Sequence, residues 1–241
     1  MSDHWLATVF VDYDNLHPRQ KEAGVLDVLT KTLVQVPWDT SETRGRCEVR
    51  VYGGWYEGES ITRMAEDLTV ELQKDFPVIV RIPLTNGATL AMHTNAELAV
   101  SLLQEPGHHL FNTFRRKGKP PDIRVEEPAT VGCTDAACLL PQVKTLLKSG
   151  KCPKAGCTVA TCELLYRHEQ KIVDTMLTCD LIHASALPTG WIILISGDDD
   201  FLPPLRTILL RDRAVVRCYP KPNNRRARFP HGGATLYEVE L

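Results

Sequence analysis

The sequence predicts an α/β fold with a central, mostly parallel sheet, and two observations carry that prediction. Short apolar runs rich in β-branched residues recur at 6–11, 47–52, 77–82, 192–195 and 214–218, with helical apolar stripes between them. Two of these runs, 6–11 and 192–195, lead within one to three residues into clustered acids, Asp12-Tyr-Asp-Asn15 and Ser-Gly-Asp198-Asp-Asp200. In an open α/β sheet, ligands bind beyond the carboxyl ends of the strands, so the second observation also places a candidate site.

Taken in order, the run at 6–11 is a buried strand. Residues 19–36 carry Val25, Leu26, Leu29, Leu33 and Val34 on one side and predict a helix that stops before Pro37. The strand at 47–52 closes on Gly53-Gly54. A helix over 60–76 has Ile61, Met64, Leu68 and Leu72 as its stripe, with Ser60 and Met64 at staple-like spacing. A strand at 77–82 follows, then a helix over 95–103. Residues 105–121 contain Pro106, Gly107, Arg115, Arg116, Lys117 and Lys119, no apolar stripe, and read as an exposed basic loop.

Five of the eight cysteines, Cys133, Cys138, Cys152, Cys157 and Cys162, then fall within thirty residues. Even scattering would put roughly one there. Zinc sites take paired thiolates on either side of a longer loop, which Cys133-x4-Cys138 with Cys157-x4-Cys162, or with Cys152-x4-Cys157, approximates. The competing reading is packing, because a reduced cysteine behaves as a small hydrophobe. Helical pattern returns over 163–186. Within it Lys171 and Asp174 are neighbours on one face, where a surface ion pair is the plain reading, whereas Asp174 and Asp180 are six apart and project differently. The run 192–195 reads as a strand buried on both faces. Gly197 is expected to let the backbone turn, and Phe201, Leu205, Ile208 and Leu209 mark a helix whose first turn tolerates Pro203 and Pro204. After the strand at 214–218, a tail with Arg225, Arg226 and Arg228 beside Phe229 forms a second basic patch. Both basic patches read either as solvated surface or as phosphate contacts.

A chain of 241 residues buries a sizeable core as one α/β domain, with or without an insertion. Its 43% hydrophobic and 24% charged content is that of an ordinary soluble globular protein, and the net charge of -2 gives no global signal for a polyanion. Met-Ser-Asp-His lacks the basic start of a signal peptide, and no apolar segment approaches the roughly 20 residues that span a bilayer. The expectation is a cytoplasmic protein without membrane attachment, in which disulfides are disfavoured. Association with a second copy or another protein is left open.

The acids suggest the chemistry. Three adjacent carboxylates repel one another, and a cation relieves that repulsion; a helix cap accounts for only one of them. If the strands at 6–11 and 192–195 are neighbours, Asp12 and Asn15 meet Asp198 and Asp200 across one crevice, and Asp174 joins from a helix start. Such an all-oxygen donor set suits magnesium or manganese bridging to a substrate phosphate.

Val9-Phe-Val-Asp-Tyr-Asp-Asn15-Leu, Lys171-Ile-Val-Asp174 with Asp180 beyond it, and Ile195-Ser-Gly-Asp198-Asp-Asp200-Phe-Leu-Pro resemble, in order and spacing, the three signature segments of NYN domains of the PIN-like ribonuclease superfamily. The resemblance spans the chain apart from about 105–162. It implies a Rossmann-like PIN fold over 1–241, interrupted at about 120–162 by a cysteine-rich zinc-binding insertion, and metal-dependent cleavage of RNA. It further implies that Asp12, Asp174, Asp198 and Asp200 form the acidic metal site with Asn15 as polar companion, and that Lys171 and Asp180 support it. The x4 cysteine spacings and the additional acids Asp14 and Asp199 depart from the family pattern. A haloacid dehalogenase-type phosphatase is a rival reading, with Asp12-x-Asp14 as nucleophile and acid, although Leu16 stands where that family has Thr or Val. A PIN-like module that binds RNA without cutting it is the non-enzymatic alternative.

Overall fold

The computed structural model describes residues 4–118, 124–135, 137–170, 172–187, 190–222 and 235–241. The chain divides into two compact units, Met1–Thr113 with Lys171–Leu241, and Phe114–Gln170. The second unit is therefore wider than the expected insertion at 120–162.

The first unit opens with β1 (Trp5–Asp12), a short 3-10 turn, and two helices, α1 (Pro18–Ala23) and α2 (Val25–Gln35). One helix was expected over 19–36. Gly24, at φ +91°, breaks it, and the Glu71 carboxylate accepts from the Val25 amide at 2.7 Å to satisfy the new helix start. β2 (Arg44–Tyr52) leads into a small hairpin of β3 (Tyr56–Glu57) and β4 (Ser60–Ile61), then α3 (Arg63–Asp75). Ser60 thus lies in a strand rather than a staple, and Thr62 caps α3 by accepting from the Ala65 amide. β5 (Val78–Pro83) turns back antiparallel into β6 (Thr89–Leu98), followed by the hairpin β7 (Ser101–Leu102) and β8 (Glu105–His109).

The helix expected over 95–103 is absent. Ala96, Glu97, Leu98 and Ala99 favour helix locally, but Leu90, Met92 and Thr94 alternate into the core and β6 is held between β2 and β5, so long-range pairing overrides local preference. The loop expected over 105–121 likewise contains strand.

The second unit contains β9 (Phe114–Gly118), α4 (Leu140–Ser149), the short α5 (Thr161–Leu164) and β10 (Tyr166–Gln170), which pairs antiparallel with β9. The continuous helix expected over 163–186 is interrupted by β10, because residues 166–170 pair with a strand some fifty residues earlier.

The first unit resumes with α6 (Val173–Ala186), β11 (Trp191–Ile195), α7 (Leu202–Leu209), β12 (Val215–Tyr219) and β13 (Leu236–Glu240), the last without a counterpart in the sequence reading. Among the described residues seven strands form one sheet in the order β13-β12-β11-β1-β2-β6-β5, parallel throughout except for β5 against β6. Alternation along the central strands feeds two cores. Val9, Val11, Ile193 and Ile195 pack with α2 and α3 on one face; Phe10, Ile192 and Leu194 pack with α6 and α7 on the other. Each of these strand side chains is essentially buried, an environment in which a Val, Leu or Ile contributes roughly 1.5–3 kcal/mol. No helix among the described residues is long and apolar enough to cross a membrane.

Candidate functional site

β1 and β11 are parallel neighbours at the centre of the sheet, with Val11 opposite Ile195. From β1 the chain passes to β2 on one side, and from β11 to β12 on the other, so their connections diverge and leave a crevice at the carboxyl ends. Asp12, the last residue of β1, and Ser196, the first after β11, face each other there.

The Ser196 hydroxyl donates to Asp12 Oδ2 at 2.8 Å and accepts from the Asp198 amide at 3.0 Å. Asn15 Oδ1 accepts from the Gly197 amide at 3.0 Å. Gly197 serves this approach rather than the turn expected of it: its φ is not positive, and an added Cβ would stand 3.2 Å from Asn15 Oδ1. Asp198 caps the turn Asp199–Phe201 by accepting from the Asp200 amide at 2.9 Å. Asp174 enters from the first turn of α6.

The acids act on one another electrostatically. Burial pushes the Asp12 carboxyl up to about 6; the Ser196 hydrogen bond opposes this, while Asp174 and Asp14 add to it. Asp174 is raised by desolvation and then by Asp198, Asp200 and Asp14. Asp14 is raised by desolvation and lowered by Lys21, whose Nζ lies 3.6 Å away. The expected acids therefore share one field. Among the described residues, however, no three His, Cys, Asp or Glu side chains are gathered tightly enough to hold an ion directly. The donor chemistry fits magnesium or manganese, which retain water and use one or two carboxylates.

Asp180 is elsewhere. It is buried, accepts from the Tyr52 hydroxyl at 2.7 Å and the Leu103 amide at 2.8 Å, and lies 3.5 Å from Arg50 Nε. Arg50 also pairs with Glu97. The support Asp180 gives is thus to the packing of α6 against β2 and the β7 region. Lys171, Arg225, Arg226 and Arg228 lie outside the described residues, as do the side chains of Arg116 and Lys117. Arg115 is not the free loop cation expected: it sits in β9 with Nε 3.4 Å from Glu169 on β10.

In the second unit, Cys133 and Cys138 have their sulfurs 3.0 Å apart. The hydrogen bond between them raises the Cys133 thiol and lowers that of Cys138, which also accepts from the Leu140 amide. The remaining three cysteines of the cluster are free thiols, two half-buried and Cys162 exposed.

Ser196, Lys21 and Arg217 were not singled out from the sequence. Ser196 lies within the Ile195-to-Pro203 segment; Lys21 reaches back seven residues to Asp14, beyond the three- or four-residue spacing of a helical ion pair, and Arg217 acquires its role from a loop some twenty residues earlier. A cavity of about 430 Å³ between α3 and the end of β6, lined by Leu72, Phe76 and Leu98 among others, shares no residue with the crevice. Comparison of the chain with protein-family profiles, with characterised proteins and with solved structures finds no match, which leaves the crevice itself as the guide to function.

Proposed function

We propose that the chain is a divalent-metal-dependent ribonuclease with a PIN-like fold, and that the crevice between β1 and β11 is its active site. One observation carries this reading: parallel pairing of β1 with β11 brings Asp12 beside the Ser196–Asp198 segment, with Asp174 in the same field. A donor set of carboxylate and amide oxygens suits magnesium or manganese. When bound, such an ion supplies positive charge against a phosphodiester and lowers the pKa of water.

The chain's own residues have separable tasks. Asp12, Asp174, Asp198 and Asp200 supply negative charge and acceptor oxygens. Without a cation Asp12 holds a proton to about pH 6, and a bound cation would favour its ionised form. Ser196 holds Asp12 and the Asp198 backbone together, and Asn15 anchors Gly197. Arg116, Lys117 and the tail arginines are the proposed phosphate contacts for RNA. In the second unit, the adjacent thiols Cys133 and Cys138 are proposed as half of a structural zinc site, completed by Cys157 with Cys162 or Cys152.

The deciding experiment incubates purified protein with labelled RNA, labelled DNA and a phosphomonoester, each with and without manganese or magnesium. Metal-dependent shortening of RNA is expected. Release of inorganic phosphate without RNA cleavage would replace the reading with a phosphatase, and RNA retention without cleavage would replace it with a binding module.

A further inference from the structure

Arg217 is a charged side chain with no exposed surface, on a strand that contributes none of the acids. Its Nε donates to the Ser196 carbonyl at 3.2 Å, and its Nη2 donates to the Asp198 carbonyl at 2.7 Å and to Asp199 Oδ1 at 3.2 Å. The guanidinium lies 4.6 Å from the centre of the Tyr219 ring, and the backbone of Ser196 is tied to the same strand by its amide bond to the Cys218 carbonyl at 3.1 Å. Burying a guanidinium is costly unless its donors are engaged, and here one nitrogen, Nη1, has no hydrogen-bond partner. A cation kept under that penalty, with its other two nitrogens spent on the loop bearing Asp198, is doing something for that loop.

We infer that Arg217 is the positioning residue of the acidic loop: it anchors the carbonyls on both sides of Gly197 and ties the Asp199 carboxylate to β12, which fixes the backbone that carries Asp198 and Asp200. This rests on the ribonuclease reading for its catalytic consequence, and on geometry alone for the positioning. It also gives Asp199, the additional acid of the Asp198-Asp-Asp200 run, a role: Asp174 responds electrostatically to Asp198 and Asp200, whereas Asp199 acts on the neighbourhood of Tyr219. Lysine could supply the charge but not the fork, because a single ammonium cannot span two carbonyls and a carboxylate in the same plane.

The test compares the parent with Arg217→Met, Arg217→Lys and Asp199→Asn, well below each protein's melting temperature. In Arg217→Met, the amides of 196–200 should exchange hydrogen faster while those of β1 keep parental rates. The kcat for RNA cleavage should fall on the order of tenfold to a hundredfold, as for a displaced catalytic group, with KM for RNA unchanged and the half-saturating manganese concentration raised. Arg217→Lys should recover part of kcat, and Asp199→Asn should lose least because both carbonyl anchors remain. If Arg217→Met does not fold, Arg217→Lys carries the comparison; exchange rates at 196–200 equal to the parent's in the folded variant overturn the positioning role. A parent that cleaves no RNA with any divalent ion overturns the ribonuclease reading instead, and the exchange measurement still decides the role of Arg217.

Discussion

The Ser196 hydroxyl and the Asp12 carboxylate, 184 positions apart in the chain, meet at 2.8 Å across the seam between β1 and β11. The same hydroxyl accepts the Asp198 amide, so one small side chain couples two of the acids. Ser196→Ala should remove a bond that favours ionised Asp12 and leave the Asp198 amide without its acceptor. The expected destabilisation is about 1–3 kcal/mol. The acid limb of the cleavage profile should move to higher pH, and a profile superimposable on the parent's would show that the hydroxyl does not tune Asp12.

Asp12 also makes stability depend on pH. It titrates at about 6 in the folded chain and at about 3.9 when unfolded, so between these values the folded state binds more protons. Its stabilising contribution is complete below the unfolded value and is lost as pH rises through the folded one. The loss is on the order of 2–3 kcal/mol. Asp14 and Asp174, also raised, act in the same direction. Urea midpoints of Asp12→Asn at pH 4.5 and pH 7.5 should therefore differ less than the parent's, with the variant the more stable of the two at the higher pH.

Asp198→Asn should fold and lose RNA cleavage, because it retains an acceptor for the Asp200 amide while removing charge from the crevice. Manganese should raise the melting temperature of the parent more than that of the variant. Equal cleavage rates in rigorously purified samples would remove Asp198 from the site.

Asp180→Asn should act on the fold and spare the crevice. It removes a charge from the buried Tyr52–Asp180–Arg50 network while Arg50 keeps Glu97, a loss of about 1–3 kcal/mol. Thermal melting should register most of that, with manganese affinity unchanged in the protein that remains folded. A loss of manganese binding without loss of stability would return Asp180 to the metal site.

Zinc content measured on purified protein should be near one ion per chain if the cysteine cluster is a metal site, as four thiolates would hold one tetrahedral ion. Chelation should then accelerate amide exchange in Phe114–Gln170 and leave the seven-stranded sheet protected. A ratio near zero would make the cysteines packing residues.

What could be read from the chain follows from where each signal resides. β1 and β11 were legible because Val9-Phe-Val and Ile192-Ile-Leu-Ile are buried on both faces and need no alternation to announce them. The acidic runs at 12–14 and 198–200 stood out because each is compact and lies at or just past the end of a strand, whereas Asp174 is a single residue in the first turn of α6. β6 was misread because its helix-favouring end, Ala96 to Ala99, is louder than the alternation of Leu90, Met92 and Thr94. β10 and β13 escaped because five residues with a partner elsewhere carry little pattern of their own. Arg217 escaped for a related reason. In the sequence it is one arginine in an apolar run, and only the parallel register of β11 with β12 puts it under Ser196 and Asp198.

The order in which the sheet is assembled sets when the crevice can exist. β1 is synthesised first, yet its neighbour β11 arrives about 180 residues later, and the strand bearing Arg217 later still. A ribosome-bound fragment that ends before β11 carries Asp12 without Ser196 to face it. Premature release or truncation upstream of β11 should therefore leave a species that lacks the crevice altogether, rather than one that carries a loosened form of it.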